Sequence, residues 1–329
     1  MGGFCPLFRN CGRDNVKCLV SGATGFIGRD LCRQLAGRGD LVTALGRRGG
    51  CLPDGTPVHA VDLASADPDP ALLQRVDVVF HLAGIAHRRA GAAAYHEVNY
   101  LATLRLARLA AAAGARCFIF LSSVKAMGAP PGAGARGEEE CLLPGDPYGL
   151  SKWRAECALR EEFAGSPMAV VILRPALVCG PGARGNLRLL ARAGRWGLPR
   201  PPALGGRSMI ALPDLVELLC EIADHPPAGV QTWIACDGRA YSSRDLYDLL
   251  REAGGRGRGA AWLPRWGWRL AASLLDRLRP RPGESTWDRL FGYELYSNRA
   301  LLAATGWRPR STPREMVGAL VLHAEKAPR

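Results

Sequence analysis

No stretch of the 329-residue chain approaches the ~20 consecutive apolar residues that a membrane-crossing helix requires. The opening MGGFCPLFRNCGRDN has neither an apolar h-region nor a small-residue cleavage site, so residues 1–15 are expected to be a short N-terminal extension rather than a signal peptide. Cys-x-x-Cys spacing is missing as well. The eleven cysteines are odd in number and scattered, and Cys18, Cys117 and Cys179 lie inside apolar runs that read as buried strands. A disulfide framework and a structural metal are therefore not expected, and a reducing cytoplasm is. Clustered positive charge is lacking too. The net charge of +13 comes almost wholly from arginines spread along the chain, without the arm or stripe of a nucleic-acid binder. A basic surface of this kind suits a substrate that carries phosphates. No internal repeat is present.

The first half alternates short apolar runs with helical patterns. VKCLVSG (Val16–Gly22), LVTAL (Leu41–Leu45), VHAVDL (Val58–Leu63), VDVVFHLAG (Val76–Gly84), RCFIFLSS (Arg116–Ser123) and MAVVILRP (Met168–Pro175) read as strands. A helix is predicted after the first strand through Arg38, and a long one over Tyr95–Ala113 that Gly114 stops. Strands separated by helices imply right-handed crossovers and a parallel sheet covered on both faces. After about residue 175 the texture changes: Gly and Pro become frequent, helices dominate and strands shorten. The predicted organisation is α/β, with a doubly wound parallel sheet over residues 16–175 and a smaller, mostly helical lobe over 176–329. RPRPGE (Arg279–Glu284) is predicted to be an exposed loop.

Between the first strand and the first helix lies VSGATGFIG, with Gly22, Gly25 and Gly28 at three-residue spacing. Glycines there permit a tight turn, close approach of backbone to a pyrophosphate, and tight helix–strand packing. The N–H groups opening the helix add partial positive charge for an anion. A second pattern, GDPYGLSKWRAE, sets Tyr148 and Lys152 four residues apart at a predicted helix start, so their side chains are neighbours on one face. An ammonium beside a phenol favours the phenolate, although the spacing alone is common by chance.

Taken in order, SGATGFIG, VDL (Val61–Leu63), HLAG (His81–Gly84), VNYLAT (Val98–Thr103), FLSSV (Phe120–Val124), YGLSK (Tyr148–Lys152) and LRPALVCGPG (Leu173–Gly182) resemble the extended short-chain dehydrogenase/reductase family, in its nucleotide-sugar epimerase/dehydratase branch. The resemblance runs from about residue 15 to 320. It implies a Rossmann-type fold, a substrate-binding C-terminal lobe and a catalytic set of Ser123, Tyr148 and Lys152. Tyr148 would move a proton on or off the substrate oxygen, Lys152 would lower the phenol's pKa and hold the nicotinamide ribose, and Ser123 would fix the same oxygen. Ser122 is set aside because strand alternation turns it the other way.

The resemblance also implies a cofactor cleft. Gly22, Thr24, Gly25, Phe26, Ile27 and Gly28 would form the diphosphate loop, and Asp62 and Leu63 would lie by the adenine. Leu82, Ala83, Gly84 and Pro175 would line the cleft, and Asn99 would be either structural or placed behind the active site. Where the family carries an acidic residue for the adenosine ribose, this chain has Gly46, followed by Arg47 and Arg48. A missing carboxylate with a guanidinium at hand favours NADP, or at least tolerance of both NADP and NAD, with Arg47 on the 2′-phosphate. Asn186 and Arg207 resemble residues that contact a nucleotide-sugar diphosphate. Asp214 is expected to cap its own helix.

One departure narrows the chemistry. Val124 and Lys125 stand where 4,6-dehydratases of the family carry an Asp-Glu pair, so elimination of water is discounted. The expected activity is hydride exchange at C4 of a UDP-hexose, by a 4-epimerase or a 4-keto reductase supplying surface-polysaccharide precursors. The alternatives are a reductase of a non-sugar ketone and a non-catalytic cofactor-binding protein. A homodimer through Tyr95–Ala113 and Tyr148–Phe163 is implied by the resemblance alone. The segment Ala260–Arg279 mixes Trp262, Trp266 and Trp268 with arginines. Inward packing of the tryptophans is the favoured reading, and membrane association is not expected.

Overall fold

The computed structural model describes residues 15–86, 90–181, 198–278 and 285–318. The extension before residue 15, Asn186 and the loop Arg279–Glu284 lie outside the described residues.

The β-branched and aromatic runs form β1 (Lys17–Ser21), β2 (Leu41–Gly46), β3 (Gly50–Cys51), β4 (Pro57–Ala60), β5 (Val78–His81), β6 (Cys117–Leu121) and β7 (Ala169–Pro175). Further along come β8 (Leu177–Cys179), β9 (Gly206–Arg207), β10 (Met209–Ala211), β11 (Val230–Ala235) and β12 (Tyr293–Glu294). The main sheet has the order β11-β7-β6-β5-β1-β2-β4-β3, and only the β3–β4 pair is antiparallel. From β1 the chain builds outward through β2 and β4, then returns to add β5 and the rest on the other side. The order therefore reverses between β1 and β5, which makes their C-terminal ends the topological switch point where such sheets bind ligands.

Both faces of the sheet are buried. Cys18, Val20, Phe80, Ile119, Val171 and Leu173 face a cluster containing Leu31, Leu35, Leu215 and Leu219. Their chain neighbours Leu19, Val79, Phe118, Phe120, Val170 and Ile172 face Leu104, Leu106, Leu159 and Phe163. That is the two-residue period of a strand, with apolar residues in both phases because helices cover both faces. Helices α1 (Phe26–Gly37) and α5 (Leu212–Asp224) cover the first face and pack on each other. Helices α3 (Ala102–Ala112) and α4 (Pro147–Glu162) cover the second.

Four features differ from the sequence-based expectation. First, β11 and α5 both come from beyond residue 175, so the sheet's edge strand and one of its covering helices are drawn from the region assigned to the lobe. Their short, ordinary apolar runs have no marker of sheet membership until β11 pairs with β7. Second, the long helix is not uniform. A helical turn α2 (Ala92–Tyr95) and a π-helical stretch His96–Leu101 precede α3. Just past that stretch, the Thr103 hydroxyl of α3 donates back to the Asn99 carbonyl at 2.9 Å, the back-bonding that commonly distorts helices. Third, Asp214 does not cap α5, whose N-cap is Ala211. Its carboxylate accepts from the Ser311 amide at 3.1 Å and hydroxyl at 2.9 Å, tying a distant segment to the helix.

The fourth difference is in the lobe, which contains α6 (Ser243–Ala253), α7 (Arg265–Leu278), α8 (Thr286–Phe291) and α9 (Arg299–Thr305). Of the three tryptophans near α7 only Trp268 packs inward, edge-on to Phe291 with ring centroids 5.8 Å apart. Trp262 and Trp266 are exposed, correcting the inward-packing expectation. The inner seam of α7 runs through Trp268, Ala272 and Asp276, and Trp262 and Trp266 do not lie on it.

Candidate active site

The switch point is shaped by glycine. Gly22 has φ +72°, and a Cβ there would lie 2.7 Å from the Ala83 amide nitrogen. A Cβ on Gly28 would stand 2.3 Å from the Gly22 carbonyl oxygen, so α1 starts closer to the loop than any side chain would allow. Gly25 is the N-cap of α1, and neither a capping side chain nor a first-turn carboxylate occupies the helix end. Thr24 and Gly25 are exposed, and Phe26 and Ile27 are half-buried. Unused N–H groups in a cradle too tight for side chains fit the diphosphate of a dinucleotide.

Across the cleft, Asp146 opens α4 by accepting from the Gly149 amide at 2.9 Å, and Pro147 follows at the first helical position. Tyr148 is thereby held in the first turn and Lys152 in the second. Lys152 is buried. Its ammonium donates to the Leu121 carbonyl at 2.8 Å and lies 4.4 Å above the Phe120 ring. A Cβ on Gly84 would be 3.5 Å from that nitrogen, and Ala83 touches Gly22, so the lysine faces the glycine cradle across two residues. The Ser123 hydroxyl lies close enough to the Tyr148 phenol to favour its ionised form, and it accepts from the Lys125 amide at 3.2 Å. Ser122 turns the other way and donates to Glu156 at 2.5 Å.

Burial governs the titration of the pair. It pushes the Tyr148 phenol up to about 12, against which the Ser123 hydroxyl pulls down, and it pushes Lys152 down to about 7, against the upward pull of Glu156. The phenol thus departs in the direction opposite to that expected from a neighbouring ammonium. The reason is geometric: the lysine nitrogen is turned to Leu121 and Phe120, and desolvation dominates at the phenol.

A chain of polar groups fixes the cleft wall behind these residues. The Ala83 amide donates to Ser21 Oγ at 3.4 Å, which is 2.7 Å from His81 Nδ1, while His81 Nε2 lies 2.9 Å from Thr103 Oγ1. Because the Thr103 hydroxyl proton goes to the Asn99 carbonyl, Nε2 must donate and Nδ1 must accept from Ser21. The imidazole is neutral accordingly: burial, then the Lys152 charge, depresses it to about 3. Asn99 is fully buried. Its amide oxygen accepts from the Ile85 amide at 2.8 Å, and its NH2 donates to the Ile85 carbonyl and Ser151 Oγ, both at 3.0 Å. Asn99 therefore bridges the Gly84–Ile85 turn to α4.

Below Lys152 on α4 sits Glu156, wholly buried and paired with buried Arg174 at 2.6 Å. Arg160 and Ser122 complete its shell. Sequence reading did not single out Ser21, His81, Thr103, Ser151, Glu156 or Arg174. The one available signal was their occurrence in runs otherwise apolar, and it names no partner.

The remaining predicted residues are placed as follows. Gly46 ends β2, where a Cβ would meet Val58 at 3.0 Å and Thr24 at 3.2 Å, so a side chain is disfavoured there. Arg47 is exposed just beyond it. Asp62 is exposed at a turn, accepting from the Ala64 amide at 3.2 Å, and Leu63 is buried. Leu82 is half-buried, and Pro175 ends β7, buried. Arg207 on β9 is bound within the protein, to Glu294 at 3.2 Å and to the Arg289 carbonyl at 2.5 Å. Glu294 also pairs with Lys125 at 2.5 Å, joining the loop after β6 to the lobe.

A parallel sheet with a glycine cradle at its switch point and a Ser/Tyr/Lys set beside it defines a dinucleotide-binding protein of the extended short-chain dehydrogenase/reductase class. The model of the NAD dependent epimerase/dehydratase family matches residues 18–230, and the chain belongs to that family. It is 31% identical over 307 residues to a UDP-glucose 4-epimerase from Vibrio cholerae, covering 90% of this chain and 92% of the relative. It is 29% identical to a dTDP-6-deoxy-L-talose 4-dehydrogenase (NAD(P)(+)) from Kitasatospora kifunensis, over 95% and 97% of the two chains. Among solved structures, MoeE5 in complex with UDP-glucose and NAD superimposes with a TM-score of 0.74 at 26% identity, over 94% of this chain and 99% of that one.

Proposed function

We propose that this protein exchanges hydride and proton at C4 of a nucleotide-activated hexose, as a 4-epimerase or 4-keto reductase making surface-polysaccharide precursors. The observation that carries the reading is the Tyr148 hydroxyl beside Ser123, with Lys152 one turn on and close to Gly84, two residues from the glycine cradle. The nicotinamide cofactor, when bound, supplies or accepts the hydride. Tyr148 gives up or takes the proton at the sugar oxygen, Ser123 holds that oxygen, and Lys152 binds the ribose. Asn99 and His81 keep the Ala83–Ile85 wall in place while this happens. Val124 is buried and Lys125 is ion-paired, so neither offers a base for dehydration.

Arg47 and Arg48, exposed and with no described ion-pair partner, support NADP(H) over NAD(H) and hence the reductase. Substrate diphosphate at Arg207 would have to compete with Glu294, and Asn186 is proposed as its companion. A cytoplasmic homodimer belongs to the same reading, and the free cysteines among the described residues suit a reducing compartment.

The test is product analysis with the full chain. Interconversion of UDP-glucose and UDP-galactose without added reductant identifies the epimerase. Stoichiometric NADPH consumption with a nucleotide 4-ketosugar identifies the reductase. If neither occurs and no UDP-sugar raises the melting temperature, the sugar assignment fails. Replacing Arg47 and Arg48 by alanine is expected to weaken NADPH about tenfold or more and to leave NADH unchanged.

A further inference from the structure

Helix α7 reverses the usual arrangement of a surface helix. Trp262, Trp266, Leu270, Leu274 and Leu278 recur every four residues and are 68%, 71%, 65%, 54% and 70% exposed. Leu275, also exposed, widens the stripe. The helix is held to the lobe by its narrow inner seam: Trp268 against Phe291, buried Ala272, and Asp276 accepting from the Thr286 amide at 3.0 Å. The larger apolar face is thus on the outside. Isolated exposed leucines are ordinary, whereas a continuous Trp/Leu stripe along a helix marks a contact surface.

Charge identifies what the stripe contacts. From Arg256 to Leu278 the chain has five arginines, at 256, 258, 265, 269 and 277, and one carboxylate, Asp276. That carboxylate is turned inward onto Thr286, while Arg265 and Arg277 are exposed beside the apolar stripe. Arg269 is stacked 5.0 Å from the Trp287 ring, keeping its charge at the same edge. An apolar face with indoles at one end and an arginine-only fringe complements a bilayer surface of anionic lipid. There indoles sit at headgroup depth, leucines reach the acyl boundary and guanidinium groups meet phosphate. No described helix is long and apolar enough to cross a membrane, so the contact lies in the plane of the interface.

We propose that α7 with Trp262 docks this protein peripherally on an anionic lipid surface. The docking face is one helix away from the Arg207–Glu294 pair, because Arg207 donates to the Arg289 carbonyl of α8 and α7 packs on α8. Docking would therefore bring the substrate lobe to the membrane surface, whatever the sugar or the reaction.

Vesicle co-sedimentation of the full chain tests this without reference to turnover. Binding is expected to vesicles in which about a third of the lipid is phosphatidylglycerol, to weaken with added salt, and to be slight on pure phosphatidylcholine. Exchanging both Trp262 and Trp266 for serine is expected to lower partitioning at least about tenfold. Arg265→Gln with Arg277→Gln should lower it about thirtyfold, from roughly 1 kcal/mol per arginine. All four side chains are exposed, so melting temperatures should hold. Should a variant misfold, quenching of wild-type tryptophan fluorescence by brominated anionic lipid replaces it, and absence of quenching overturns the proposal. It is equally overturned if neither vesicle binds, or if the chain instead self-associates in a salt-insensitive way that the tryptophan changes abolish, which would make a second copy the occupant.

Discussion

Helices α4 and α7 break the same rule in opposite directions. In α4 the buried face carries Ser151, Lys152 and Glu156, whereas in α7 the exposed face carries Trp266, Leu270, Leu274 and Leu278. Burying an ammonium and a carboxylate costs several kcal/mol each unless partners replace water. Every such group in α4 has them: Leu121 for Lys152, Arg174, Arg160 and Ser122 for Glu156, and Asn99 for Ser151. Among the described residues no comparable set of partners covers the leucines of α7, which are exposed. In α4 a satisfied hydrogen-bond network offsets the desolvation of the buried polar groups, while the apolar outer face of α7 gains nothing from burial within the described fold.

The largest effect that could break this comparison is on rate. Tyr148→Phe removes the proton donor and keeps the ring, and turnover is expected to fall about 10²–10⁴-fold with cofactor affinity retained. Unchanged steady-state rates would show that the polar face of α4 is merely structural. Next comes Glu156→Ala, which strands buried Arg174 and should cost about 3–5 kcal/mol in denaturant unfolding. A loss under 1 kcal/mol would mean that water or another carboxylate satisfies the arginine.

The third prediction uses pH. The folded value for Lys152 is depressed to about 7 from an ordinary 10.5, so between these values the unfolded chain binds more protons and stability rises with pH. From pH 7 to 9 the wild type should gain stability relative to Lys152→Met. Parallel pH curves for the two proteins would refute the depressed value. The range stops there because Cys32 and Cys117 are raised from 9.0 to about 12, and the folded state then holds the extra protons. Smallest of all, Leu274→Gln in α7 should change stability by no more than about 0.5 kcal/mol, as for any exposed position. A cost of 2 kcal/mol or more, the range of a buried leucine, would mean that α7 is covered within the folded chain.

How far each helix could be read beforehand follows from the same contrast. The placement of Tyr148 and Lys152 at the start of a helix, one turn apart, was legible because a local device sets it: Asp146 and Pro147 start the helix, and four residues make about one turn. Gly22 and Gly28 were legible because contact with backbone excludes any side chain. By contrast, the direction of the tryptophans was misread, since periodicity shows that a stripe exists without showing which side the fold covers. The phenol's upward shift was misread because spacing gives proximity, whereas burial gives the sign.

Local rules, then, were enough to establish the alternation of strands and helices, the glycine turn, the capped helix start and the missing carboxylate at Gly46. Each depends on sterics or hydrogen bonds within a few residues. What only the tertiary structure decided were the long-range pairings: β11 and α5 joining the sheet, His81 between Ser21 and Thr103, Glu156 on Arg174, and the outward face of α7. Those rest on desolvation and on which distant surface fills each space, and neither is encoded at any single position.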